Sequence, residues 1–121
     1  MPTATAIHLD RAQQCLQVTF DDGASFSLPA EYLRVESPSA EIQGHAPGQK
    51  VILAGRRHVG IIAIEPVGHY AIRLTFDDLH DSGIYTWDYL HALGTGQAAR
   101  WAAYLAALEA RGLSRDPRRR G

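Results

Sequence analysis

The residues best suited to chemistry crowd into one phrase, Asp77-Asp78-Leu79-His80-Asp81. Carboxylates and an imidazole this close could ligate a divalent cation, since both suit zinc, iron or manganese. The spacing argues otherwise. Neighbours along a turn point in different directions, whereas a metal needs three or four convergent donors. The phrase therefore reads as a solvated hairpin turn with a hydrogen-bonded histidine, and a metal site centred on His80 with Asp77, Asp78 or Asp81 is the alternative. His8-Leu9-Asp10 has the outline of the His-x-Asp half of a non-haem iron facial triad, which a distant histidine such as His69 would complete. Cys15 is the only cysteine. A single thiol forms neither an internal disulfide nor a thiolate-rich zinc or iron–sulfur site, and with no cationic neighbour in sequence it reads as structural. Gly55-Arg56-Arg57-His58 is either an anion site or a basic loop between strands. No G-x-S-x-G, Walker A or dinucleotide-binding glycine pattern is present.

The elements that must position these residues carry an internal repeat. Thr-Phe-Asp-Asp occurs at residues 19–22 and again at 75–78, and the copies run on to Tyr32-Leu33 and Tyr89-Leu90. The offset is 56 at the acidic phrase and 57 at Tyr-Leu, so one residue is inserted between them. A shared strand, acidic turn, strand and helical turn accounts for the match. Leu16, Val18 and Phe20 alternate, as do Tyr70, Ile72, Leu74 and Phe76, which is the period of a half-buried strand. Asp22-Gly23 supplies the turn of the first copy. Further strands are expected at 6–10, 25–28, 51–53, 59–64 and 82–85, with Pro66-Val67-Gly68 as a turn. Pro29 is preset for the first position of a short helix over 29–33. Thr86 caps a second helix that Gly94 stops. Thr95 caps a third over 97–111, with Trp101, Tyr104, Leu105 and Leu108 on one face. Gly112 is placed for a left-handed C-cap that lets Leu113 pack back on Leu108. Residues 34–49 lose periodicity around Ser37-Pro38-Ser39, Gly44 and Pro47-Gly48, and a loop of that length in a small domain is often functional. These elements predict an α+β domain in two layers: small antiparallel sheets with a C-terminal amphipathic helix packed on one face.

At 121 residues, with 45% apolar and 21% charged side chains, the chain is expected to be one soluble domain over residues 5–113. No apolar run is long enough to span a bilayer. The N-terminus lacks a secretory signal, so a cytoplasmic location is expected. The net charge of −1 hides an asymmetry: residues 114–121 hold four arginines and one aspartate, +3, which leaves −4 for the rest. An acidic body argues against a nucleic-acid partner, and the chain is expected to bind neither nucleic acid nor membrane. The short arginine run reads as a solvated, disordered basic tail.

Several phrases together resemble one family: Leu28-Pro29-Ala30-Glu31-Tyr32-Leu33-Arg34, Glu36-Ser37-Pro38-Ser39-Ala40-Glu41, Ile64-Glu65-Pro66-Val67-Gly68, and residues 80–90 from His80-Asp81-Ser82 to Asp88-Tyr89-Leu90. It is the γ-butyrobetaine hydroxylase-like N-terminal domain family, also called DUF971, in its stand-alone bacterial form, and the resemblance spans residues 5–112. Relatives of this kind stand alone in bacteria, precede the catalytic domain of 2-oxoglutarate- and iron-dependent carnitine-pathway hydroxylases, or follow the ATPase domain of some iron–sulfur carriers. In the hydroxylases the domain is non-catalytic and holds a structural zinc through three cysteines and a histidine.

The resemblance implies that those ligand positions fall here on Ser37, Ser39, Ile42 and His80. Only the histidine is kept. A site that has lost three thiolates should not hold zinc in the same way, and a geometry using Glu36 or Glu41 with His80 is the remaining metal arrangement. The resemblance therefore implies a non-enzymatic binding or adaptor module with no cofactor, whose partner is an iron–sulfur carrier ATPase or another cytoplasmic enzyme. A metal-binding protein with zinc or iron at His80 is the alternative.

Overall fold

Alternation along two segments builds both halves of the molecule. In the computed structural model, which describes residues 2–43, 50–81 and 83–117, Leu16, Val18 and Phe20 are buried on β2 (Cys15–Phe20). Ile72, Leu74 and Phe76 are buried on β5 (Ala71–Phe76). Each is the central strand of a three-stranded antiparallel sheet. The first sheet adds β1 (Ala4–Asp10) and β3 (Ser25–Pro29); the second adds β4 (Ile61–Val67) and β6 (Gly83–Thr86). A helix follows each sheet, α1 (Ala30–Val35) after β3 and α3 (Trp87–Thr95) after β6; α2 (Ala40–Gln43) and α4 (Gln97–Ala110) complete the α+β architecture.

The repeat is structural to the level of single hydrogen bonds. Gly23 N–H reaches Phe20 O and Phe20 N–H reaches Ala24 O in the first turn; Leu79 N–H reaches Phe76 O and Phe76 N–H reaches His80 O in the second. Asp21 N–H is tied to Thr3 O and Asp77 N–H to Gly60 O. Register shifts recur at matching places, between Ala4 and Ala6 on β1 and between Ile61 and Ala63 on β4. A bulge bends the strand that carries it, so each first strand bends at the same point.

The two sheets share one core. Leu16, Val18, Phe20 and Leu28 cluster with Ile61, Ile72, Leu74, Phe76 and Tyr85, together with Leu33, Leu90 and Leu93 from the helices. A smaller cluster joins Val35 to Tyr104 and Leu108 of α4, with Ile52, Leu53 and Ala54 against it. The C-terminal layer is thus two helices, α3 on the main core and α4 chiefly on the end of α1, with Trp101 bridging the clusters.

Several sequence expectations shift. Residues 51–53 are not a strand; the segment is fixed by Val51 N–H to Ile42 O and by the Tyr104 hydroxyl to Leu53 O. Strand β4 runs through Pro66, which an outer strand tolerates because no ladder bond is lost on its free edge, and the turn is built on Gly68 at φ +55°. Pro29 is the N-cap of α1 rather than its first residue. Helix α3 continues past Gly94 to Thr95, whose hydroxyl donates to Ala92 O, and Gly96 occupies the N-cap of α4. The end of α4 is as expected: Gly112 has φ +65°, its N–H reaches Glu109 O, and Leu113 N–H reaches Leu108 O, the paired bonds of a Schellman cap. Residues 114–117 are docked rather than free, with Ser114 O accepting from Gly55 N–H and Arg115 O from Arg57 N–H. Gly44, Pro47-Gly48, Ser82 and Arg118 to Arg120 lie outside the described residues, as does the side chain of Glu41.

Candidate functional site

His80 is set by the turn that carries it. Its N–H donates to Asp78 Oδ1 at 3.2 Å and its carbonyl accepts from Phe76 N–H. Asp78 is fixed in turn: its Oδ2 accepts from Arg34 Nε at 2.8 Å and lies 2.9 Å from Arg56 Nε, the latter a charge contact without hydrogen-bond alignment. Burial pushes the Asp78 carboxyl pKa up. The Arg34 hydrogen bond, the His80 amide and the charges of Arg34 and Arg56 outweigh that and hold it below the ordinary 3.8.

This anchoring turns the imidazole inward. His80 is buried, tilted against Phe76, with Nε2 3.0 Å from Ser37 Oγ and 3.5 Å from Ser39 Oγ. Ser37 and Ser39 also bond to each other, hydroxyl to hydroxyl at 3.3 Å. The loop after α1 presents them because its backbone is held at several points: Glu36 N–H reaches Tyr32 O, the Tyr89 hydroxyl reaches Glu36 O, and Gln43 Nε2 reaches Ser37 O at 2.8 Å. Close approach demands a glycine opposite, since a Cβ at Gly83 would stand 2.7 Å from Ser37 Oγ. Ile42 is buried at the base of the same loop.

Of the four positions that the resemblance singled out, the structure thus brings Ser37, Ser39 and His80 into hydrogen-bond contact. As zinc donors they do not fit. Two neutral hydroxyls and one imidazole lack the thiolates or carboxylates that zinc takes, and Ile42 offers only an alkyl group. Among the described residues no three His, Cys, Asp or Glu side chains converge as a metal group. Asp77 and Asp81 face solvent while Asp78 is taken by arginines.

The remaining candidates resolve into structural pairings. Asp10 Oδ1 accepts from Gln13 N–H, and His8 is exposed on β1. The Cys15 thiol, half-buried, donates to Gln13 O. The basic loop docks the C-terminal segment, with Arg57 paired to Asp116. Glu36 is almost wholly buried, with Lys50 Nζ 2.9 Å from both carboxylate oxygens and Arg100 Nη1 3.2 Å from Oε2. Buried Glu31 is held by Arg115 from the C-terminal segment. Sequence reading missed these last two clusters, because ion pairs between residues 14 to 84 positions apart leave no local pattern.

Comparison with known proteins agrees with this architecture. The family described as Gamma-butyrobetaine hydroxylase-like, N-terminal, matches residues 7–91. A solution NMR structure is similar over 99% of this chain and 94% of its own, at 48% identity and a TM-score of 0.85. A second NMR structure covers 97% of this chain and 87% of its own, at 45% identity and 0.83. The crystal structure of a DUF971-family protein of unknown function from Acidithiobacillus ferrooxidans covers 76% of this chain and 92% of its own, at 36% identity and 0.65. No curated protein matches the chain.

Proposed function

The chain belongs to the γ-butyrobetaine hydroxylase-like N-terminal family, and from that premise we propose that it is a non-catalytic, metal-independent binding module for a cytoplasmic protein partner. One observation carries the reading: Ser37 and Ser39 reach His80 Nε2 at 3.0 and 3.5 Å, at the positions to which the resemblance assigns the family's thiolates. A hydrogen-bonded staple thus takes over the task of fixing the loop after α1 to the second acidic turn. The buried charges support the same view, since each is matched by an opposite charge that joins two elements: Arg34 with Asp78, Glu36 with Lys50 and Arg100, Glu31 with Arg115. A buried charge that already has its partner is occupied within the fold, and removing that partner would be strongly destabilising.

By family analogy the partner is an iron–sulfur carrier ATPase or another enzyme, such as a 2-oxoglutarate oxygenase. Elemental analysis of protein purified without added metal tests the metal-independent part. Zinc and iron well below one per chain, with a melting temperature unmoved by chelator, are expected. Stoichiometric metal that disappears in His80→Ala would overturn it. Anaerobic affinity purification tests the partner class: an iron–sulfur carrier or an oxygenase should be retained, and recovery of neither removes that assignment.

A further inference from the structure

The C-terminal segment is held in a manner unlike a simple chain end. Arg115 forms a two-pronged pair with Glu31, Nε to Oε2 at 2.8 Å and Nη2 to Oε1 at 2.6 Å. Glu31 sits on α1 with its side chain only 7% exposed. The Arg115 guanidinium also lies over Trp101, 5.1 Å from the ring centroid. Alongside, the backbone amides of Gly55 and Arg57 receive the carbonyls of Ser114 and Arg115 at 2.9 and 3.0 Å, and Arg57 pairs with Asp116. A buried carboxylate, an aromatic face and two backbone donors are the parts from which proteins build readers of arginine-containing peptides.

We propose that the cleft formed by Glu31, Trp101 and the backbone at Gly55 and Arg57 is an arginine-recognition site for a short, bent peptide segment, occupied here by the chain's own Ser114-Arg115-Asp116. The guanidinium fork meets the two Glu31 oxygens with two separate nitrogens in one plane, a geometry that the single nitrogen of an ammonium does not reproduce. The Gly55 and Arg57 amides take a bent segment, in which the Asp116 amide donates to the Ser114 hydroxyl, and Arg57 selects an acidic residue after the arginine. Exposure makes the occupant exchangeable, since Ser114, Asp116 and Pro117 all face solvent. An open surface groove of about 440 Å³ runs along Ala54, Gly55 and Arg56 on the body and Leu113, Ser114 and Pro117 on the strap. A segment with few packed contacts opens well below the cost of global unfolding. Once open, it uncovers Glu31 beside Trp101 without its charge partner, and both then stand ready for another arginine.

The site deepens the binding-module reading by naming a ligand class, and its failure would leave that reading's own tests, metal content and co-purification, untouched. The test uses the full chain carrying Arg115→Ala and a blocked peptide, acetyl-Leu-Ser-Arg-Asp-Pro-amide, followed by calorimetry. Saturable one-to-one binding is expected. Affinity for the wild-type chain should be about tenfold lower or less, because its own strap holds the site closed. A peptide with lysine for arginine should bind far more weakly than the parent. Absence of binding to the folded variant, or equal binding of a peptide with alanine for arginine, overturns the proposal. Hydrogen exchange on the wild-type chain gives an answer even if the variant does not fold. The Gly55 and Arg57 amides should exchange through local opening, well ahead of the β5 amides; exchange only with global unfolding would show the strap to be a fixed part of the fold.

Discussion

At the scale of single residues, Ser37, Ser39 and His80 form a hydrogen-bonded staple at positions where the resemblance implies metal ligands in relatives. What decides is the donor chemistry, since Ser37, Ser39 and His80 already stand together. The triple variant Ser37→Cys, Ser39→Cys, Ile42→Cys should therefore bind one zinc per chain and melt higher with zinc than without, because thiolates are strong zinc ligands and binding energy becomes folding energy. A triple variant that folds yet takes up no zinc would show that the junction lacks the ligand geometry. Removing the staple instead, as Ser37→Ala, should cost about 1–3 kcal/mol in chemical denaturation by stripping a partner from a buried imidazole. Asp78 carries a pH dependence of its own. Its folded pKa lies below 3.8, so the unfolded chain takes up the proton first as pH falls. The stabilisation it supplies is complete above that value and is lost as pH drops through the folded pKa. Asp78→Asn should accordingly be less stable than the wild type at pH 7, and the gap should narrow only below about pH 4; a gap that closes between pH 7 and 5 would assign it to another group.

At the scale of elements, the two acidic turns form an internal control. Gly23 and Leu79 occupy equivalent places, at φ +88° and +71°. Glycine adopts that conformation freely, whereas leucine incurs about 1–2 kcal/mol there. Leu79 recovers little by burial, being 81% exposed. Leu79→Gly should therefore raise stability, by up to about 1 kcal/mol after the greater unfolded-state freedom of glycine is set against the relief of strain. A lower melting midpoint would mean that Leu79 makes a stabilising contact. This turn also shows what the sequence could and could not display. The repeated Thr-Phe-Asp-Asp marked two strands and two turns because alternation and turn chemistry are local. The matching bulges on β1 and β4 left no local mark, since a bulge is set by the partner strand's register. Residues 51–53 carried strand-forming side chains, yet tertiary ties to Ile42 and Tyr104 prevailed. The convergence of Ser37, Ser39 and His80 was legible only through the family resemblance, since two serines and a remote histidine have no spacing rule. The Glu31–Arg115 pair joins residues 84 apart and had no sequence signal at all.

At the scale of the whole molecule, the halves hold each other by reciprocal contacts. The Tyr32 hydroxyl donates to Leu93 O, and its counterpart Tyr89 donates to Glu36 O, the position equivalent to Leu93. Asp78 pairs with Arg34, and its counterpart Asp22 pairs with His91, the position equivalent to Arg34. A Cβ at Gly94 would meet the Phe26 ring and a Cβ at Gly83 would meet Ser37, again the same pair with the halves exchanged. Such exchange is the logic of a twofold dimer interface, in which each contact occurs twice, carried here within one chain. The two junctions differ in content, phenylalanine against glycine at one and the Ser37–His80 staple at the other, so only one of them offered a polar site. Because both sheets contribute to one core and each clasps the other, neither half should unfold alone. Tyr32→Phe tests this. Burial pushes the Tyr32 phenol up to about 12, so it remains a donor near neutral pH, and its loss leaves the Leu93 carbonyl unpaired at a cost of about 1–3 kcal/mol. Although Tyr32 lies in the first half, the variant should lower hydrogen-exchange protection equally for the slowest amides of β2 and β5. Loss confined to β2 would mean that the halves are separate cooperative units joined by a shared surface.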